Sequence, residues 1–144
     1  MDQATKSEIE LPEGYTPSES EEFMNERQKE YFRRKLKAWK DEILRESRST
    51  LSNLQEDVGT LPDLADRAST ETDRALELRA RDRQRKLISK IESALRRIEE
   101  GEYGYCEETG EPISLARLDA RPVATLSLEA QERHERSERV HRDD

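Results

Sequence analysis

The stretch Tyr105-Cys106-Glu107-Glu108-Thr109-Gly110 sets an aromatic residue, a thiol, two spacers and a turn in the order of a zinc-binding knuckle. A structural zinc ion takes about four ligands, normally Cys sulfur, His nitrogen or carboxylate oxygen. Cys106 is the only cysteine in 144 residues, so three ligands would have to come from other residue types. His134 and His141 stand seven apart on an expected helix, roughly 10 Å along its axis, too far to share one ion. Glu107, Glu108 and Glu129 lie nearby but read as solvated surface acids. No zinc is therefore expected, and one cysteine closes no internal disulfide. Cys106 itself reads as a buried, inert thiol, because no partner thiol exists to resolve an oxidised one. A redox switch is the alternative.

Two further groups could act through charge. Asp63 and Asp66 lie three apart in "PDLAD". On their own they read as turn and N-cap residues, since Asp carboxylates accept from free backbone N–H groups. Residues 74–90 carry seven bases and two acids inside a chain of net charge -8. Such a run is usually a solvated helix face; its functional reading is a docking stripe for an acidic surface.

The elements that must carry these groups follow from composition and period. Apolar residues make up 31% and charged residues 42%, against roughly 45–50% and 25% in globular chains. Such a chain is either disordered or built from long helices that need one narrow apolar seam. Periodicity favours helices. Phe32, Leu36, Trp39 and Ile43 are spaced 4, 3, 4 from a helix that begins near Glu21, and Leu51, Leu54 and Val58 resume the stripe. Glu30/Arg34 and Asp41/Arg45 supply acid-first i,i+4 pairs. Gly59 and Pro62 interrupt, and a second stripe follows at Leu76, Ala80, Arg83, Leu87, Ile91, Ala94 and Ile98, up to Gly101. Arg83 thereby falls on the seam, its stem covering it while its head reaches out. The expected fold is mainly α: a long antiparallel coiled-coil hairpin, then a small globular module of zinc-finger outline with a degenerate metal site and a C-terminal helix.

The expected divisions are an irregular acidic segment at 1–20, a hairpin at 21–100 with its tip at 59–70, and the module and last helix at 101–144. The module's candidate core is Tyr103, Tyr105, Ile113, Leu115, Leu118, Val123, Leu126 and Leu128, leaning on Leu95 and Ile98. No apolar leader and no run of 18 apolar residues occurs, so a soluble, cytoplasmic protein without membrane contact is expected. Net acidity argues against DNA as the main partner.

The segments "EEFMNERQKEYFRRKLKAWK", "LPDLADRAS" and "LELRARDRQRKLISKIESALRRIEEGEYGYCEETGEPISLARLDARPVA" resemble the DksA/TraR family in order and spacing, from about residue 10 to residue 138. The resemblance implies a bacterial transcription factor that binds RNA polymerase, not DNA, and inserts a hairpin into the secondary channel. It acts with the alarmone ppGpp on rRNA and amino-acid biosynthesis promoters. It implies a functional tip at Asp63, Asp66 and Ala68, and a polymerase-docking arginine at Arg83. For ppGpp, bound together with polymerase, it implies Leu87, Lys90 and Arg121; a further basic position is Gln131 here. The family's two CxxC pairs fall on Cys106/Thr109 and Ser127/Ala130, so three of four positions lack a thiolate. This matches a cysteine-poor, zinc-independent branch, with no intrinsic cofactor and a monomeric state. Thr109 and Ser127 are then expected to meet as a hydrogen-bonded hydroxyl pair.

A coiled-coil scaffold that self-associates is the alternative reading; it explains the heptads but not the acidic tip or the module. An enzyme is not expected, since the chain has no Ser/His/Asp cluster in a globular frame and no phosphate loop. Missing ligands and net acidity oppose a DNA-binding zinc finger.

Overall fold

The computed structural model describes the backbone of residues 9–57 and 64–143, and the side chains of residues 9–49 and 69–141. Four helices follow in order: α1 (Glu26–Asp57), α2 (Leu64–Glu100), α3 (Leu115–Ala120) and α4 (Leu128–Asp143). Among the described residues the β-pairing is one bridge, Tyr105 with Pro112. The chain divides into two compact units, Met1–Leu36 with Ser93–Asp144, and Lys37–Glu92.

α1 starts at Glu26, not near Glu21 as the apolar spacing suggested. The reason is a capping device. Asn25 Oδ1 accepts from the Gln28 N–H at 2.9 Å, and Gln28 Oε1 accepts from the Met24 N–H at 2.7 Å. This is the reciprocal logic of a capping box, reaching back one residue further than usual. Met24 has φ 52, in the left-handed region, where a right-handed helix cannot continue. Upstream, residues expected to be irregular are tied down. Arg34 donates to the Ile9 carbonyl at 2.7 Å, and the Glu21 carboxylate accepts from the Tyr15 hydroxyl and the Ser18 N–H.

In the unit Lys37–Glu92 the helices pair antiparallel: Lys40 meets Glu92 at 3.4 Å and the Ser47 hydroxyl meets the Gln84 side-chain oxygen at 2.8 Å. Ile43 and Ile91 are buried and Trp39 is half-buried. The α2 seam differs from the apolar stripe. Glu77, Ala80, Gln84, Leu87 and Ile91, spaced 3, 4, 3, 4, are half-buried or buried, whereas Leu76 is 54% exposed and Arg83 is exposed. An unbroken heptad counted outward from Ile91 lands on Gln84 and Glu77. The apolar stripe reached Arg83 and Leu76 only through two consecutive steps of four. Arg83 is therefore a solvent-facing residue and not a seam residue.

α2 begins at Leu64, so residues 64–70, expected as loop, are helical. In the other unit, Tyr103, Ile113, Leu115, Leu118 and Val123 are buried as expected, with Ala94 and Ile98 of α2. Tyr105, at 38%, and Leu128, at 54%, are exposed instead. Tyr105 lies two residues beyond buried Tyr103 and sets its ring against Phe23 at 5.3 Å. Leu128 opens α4, and the buried place is taken two residues later by Ala130.

Candidate functional site

The knuckle keeps its fold around a single sulfur. The Ile113 N–H donates to the Gly104 carbonyl at 2.7 Å, and the Cys106 N–H to the Glu111 carbonyl at 2.8 Å. The Gly110 N–H returns to the Cys106 carbonyl at 2.8 Å, closing the turn. Ser127 caps α4, its hydroxyl accepting from the Ala130 N–H at 3.2 Å. The sulfur of Cys106 sits among the N–H groups of Ser127, Thr109 and Glu108 and the Thr109 hydroxyl. This is a nest of donors, a setting that favours an anion.

Burial alone would raise the Cys106 thiol, but those four donors outweigh it and hold it at about 6, below the ordinary 9.0. Cys106 is thus buried but not an ordinary apolar thiol. The expected Thr109–Ser127 pair is replaced by two separate uses. Thr109 serves the sulfur and accepts from the Glu111 N–H, while Ser127 caps α4.

These positions do not fit zinc. Ala130 offers no donor atom and is fully buried, and the Ser127 hydroxyl is engaged by its own helix. Among the described residues no three His, Cys, Asp or Glu side chains are grouped to hold a metal ion. A thiol whose folded pKa is depressed adds stability that is complete above its unfolded pKa and lost as pH falls through the folded one. Stability should therefore rise between about pH 6 and pH 9, and Cys106→Ala should remove that slope. Thiolate absorbance should titrate near pH 6, with the variant as blank; a midpoint near the ordinary value would refute the nest.

Of two charged anchors in the same unit, the sequence showed only the Glu30/Arg34 pair. Glu30 is 5% exposed and accepts from Arg33 at 2.5 Å and Arg34 at 2.6 Å; Arg33 also reaches Glu99 of α2 at 3.1 Å. On the other side Asp119 of α3 accepts from Lys35 at 2.6 Å and from the Tyr31 hydroxyl at 2.5 Å. Lys35 and then Tyr31 hold Asp119 below the usual carboxylate range, while burial and then Asp119 push Tyr31 up to about 12. The Glu30/Arg34 spacing was legible; that Glu30 would be buried was not.

The residues assigned by resemblance are distributed as follows. Asp63 lies outside the described residues. Asp66 and Ala68 are on the backbone of α2 near its start, with side chains outside the described set. Leu87 is half-buried and Lys90 exposed on α2 in the unit Lys37–Glu92; Arg121, exposed at the end of α3, belongs to the other unit. Gln131 is half-buried near the start of α4 and meets Glu135 at 3.3 Å. From Glu132 to His141 α4 is exposed; Arg133 and His134 reach back to Glu108 of the knuckle.

Family models match in the same order. Residues 28–98 match the DnaK suppressor protein DksA N-terminal domain, and residues 101–136 match the prokaryotic dksA/traR C4-type zinc finger. The chain is 75% identical over 130 residues to the RNA polymerase-binding transcription factor DksA of Caulobacter vibrioides, covering 90% of this chain and 92% of that one. It is 44% identical over 117 residues to the protein of that name from Escherichia coli, covering 81% and 78%. Among solved structures, transcription factor DksA2 from Pseudomonas aeruginosa matches with a TM-score of 0.76 and 38% identity over 96% of this chain and 99% of that one. These relatives carry the names of transcription factors, not of enzymes. Similar over nearly its whole length, and keeping one cysteine of the four that the zinc-finger model's name implies, the chain belongs to the DksA/TraR family.

Proposed function

We propose that this chain regulates transcription by binding RNA polymerase. The observation that carries the reading is the 75% identity, across nine-tenths of both chains, to a relative named for binding that enzyme. In this reading the hairpin enters the secondary channel in the cytoplasm, and Asp63 and Asp66, with Ala68, alter the lifetime of the open complex. Carboxylates delivered there act on polymerase elements near the catalytic magnesium, with no covalent step of their own. Arg83 docks the hairpin; its solvent-facing position on α2 leaves the guanidinium available to a partner. ppGpp is held together with polymerase by Lys90 and Arg121, with Leu87 alongside. Guanidinium and ammonium groups suit its pyrophosphates. Gln131 stands where a further base is expected, so the ppGpp response is weaker than with that base. The protein acts as a monomer, without zinc.

The test is single-round transcription from an rRNA promoter with the protein's own polymerase, under zinc chelation, with and without ppGpp. The protein inhibits in chelator, and ppGpp deepens the inhibition. Asp63→Asn/Asp66→Asn retains polymerase binding but loses about tenfold or more of the inhibition, the scale of removing charged partners at an interface. Inhibition that requires added zinc, or that survives the double substitution, refutes the reading.

A further inference from the structure

We propose that the outer half of α2, from Gln84 toward Leu64, has a second seam that exchanges with the observed one. The observed seam runs Glu77, Ala80, Gln84, Leu87, Ile91. The sequence holds another, Leu76, Ala80, Arg83, Leu87, Ile91, which shares Ala80, Leu87 and Ile91. The second contains two consecutive steps of four, a stutter, which coiled coils absorb by local unwinding. Exchanging them moves Ala80 and Leu87 from one side of the seam to the other, a turn of roughly 50° about the helix axis.

Three observations make the observed seam a close choice. Arg74 Nε and Nη2 and Glu77 Oε2 are buried without a hydrogen-bond partner, a costly condition for polar atoms. Leu76, one residue away, is 54% exposed. The turn reverses both, carrying Arg74 and Glu77 toward solvent and Leu76 inward, while the Arg83 stem covers the seam. Third, the layer where the two seams diverge is held by a polar contact, Ser47 to Gln84 at 2.8 Å, and not by apolar packing. A cavity of about 250 Å³ opens beside Ser47, bounded by Leu78, Arg81 and Ile88 among others. Closely packed layers resist such a turn; an open polar layer does not. Nearer the module, Ile91, Ala94 and Ile98 are fully buried and hold one register. The device thus turns the part of α2 that leads toward Asp66 and Ala68, and its test does not depend on the polymerase reading.

Cysteine pairs in a Cys106→Ser background read the two seams. Ser47→Cys/Gln84→Cys reports the observed seam, Ser47→Cys/Arg83→Cys the second, and Ser47→Cys/Lys86→Cys, with Lys86 on the opposite face, the background. Both seam pairs should close oxidatively and the control should not. Leu76→Glu, made at an exposed position, leaves the observed seam intact and removes the apolar residue the second requires. It should slow the 47/83 closure about fivefold, the effect of about 1 kcal/mol on a population, and leave 47/84 unchanged. Glu77→Leu should act the same way by favouring the observed seam, and helical circular dichroism confirms that each variant folds. A 47/83 pair that closes no faster than the control, or that is indifferent to Leu76→Glu, or is slowed only in parallel with 47/84, overturns the proposal.

Discussion

Glu30→Ala is expected to destabilise the unit Met1–Leu36 with Ser93–Asp144 by about 3 kcal/mol, lowering its melting temperature by roughly 15 °C. Glu30 is 5% exposed, and its two oxygens are divided between Arg33 and Arg34. The two arginines are not equivalent. Arg34 is half exposed and can return to water, so its loss matters little. Arg33 has a side chain 11% exposed, and its other ion pair is with the part-exposed Glu99. Removing one member of a buried pair costs about 3–5 kcal/mol because the other charge stays behind. The remaining Arg33–Glu99 contact places this case at the lower end. The matched test is the double variant Glu30→Ala/Arg33→Ala, which should recover part of the loss, since no stranded charge remains. Equal losses from the single and double variants, read by thermal and urea unfolding, would refute the account.

Gly104→Ala should cost about 2–4 kcal/mol, in two separable parts. Gly104 has φ +91, a conformation that side-chain-bearing residues rarely adopt. An added methyl would also stand 3.1 Å from the Phe23 ring and 3.2 Å from the Met24 terminal methyl. Neither neighbour yields freely. Phe23 is set edge-on against Tyr105, and Met24 is buried, with its backbone N–H held by Gln28. Phe23→Ala should therefore relieve the share of the steric part that Phe23 imposes, leaving the Met24 contact and the backbone part, and a double-mutant cycle isolates that share. A coupling near zero would mean that the close approach to Phe23 is not what demands glycine here.

The helices were legible because their inner halves repeat strong apolar signals: Phe32, Leu36 and Ile43 on α1, and Ile91, Ala94 and Ile98 on α2, are all buried. The outer half of α2 was misread because an apolar stripe is easier to find than a seam containing Gln84 and Glu77, which only the unbroken heptad reveals. The start of α1 was legible in principle, as Asn25 followed three residues later by Gln28 is a capping signature. That Phe23 and Met24 settle against Gly104 depends on a tertiary contact no local pattern announces. In the module, hydrophobicity selected Tyr103, Ile113 and Leu118 correctly but also Tyr105 and Leu128. It passed over Ala130, whose small size is what fits at the buried start of α4. The loss of zinc ligands could be counted directly. That the remaining sulfur would gather four donors could not, because three of them are backbone N–H groups, present in every sequence.

The division of the chain into two units also sorts its chromophores. Trp39, the single tryptophan, lies half-buried in the unit Lys37–Glu92, while all four tyrosines, Tyr15, Tyr31, Tyr103 and Tyr105, belong to the other. Emission excited at the long-wavelength edge, where tyrosine does not absorb, comes from the unit Lys37–Glu92 alone, and tyrosine signals come from the unit Met1–Leu36 with Ser93–Asp144. Opening of one unit without the other is therefore visible in the unlabelled, unsubstituted protein as two optical transitions that fail to coincide.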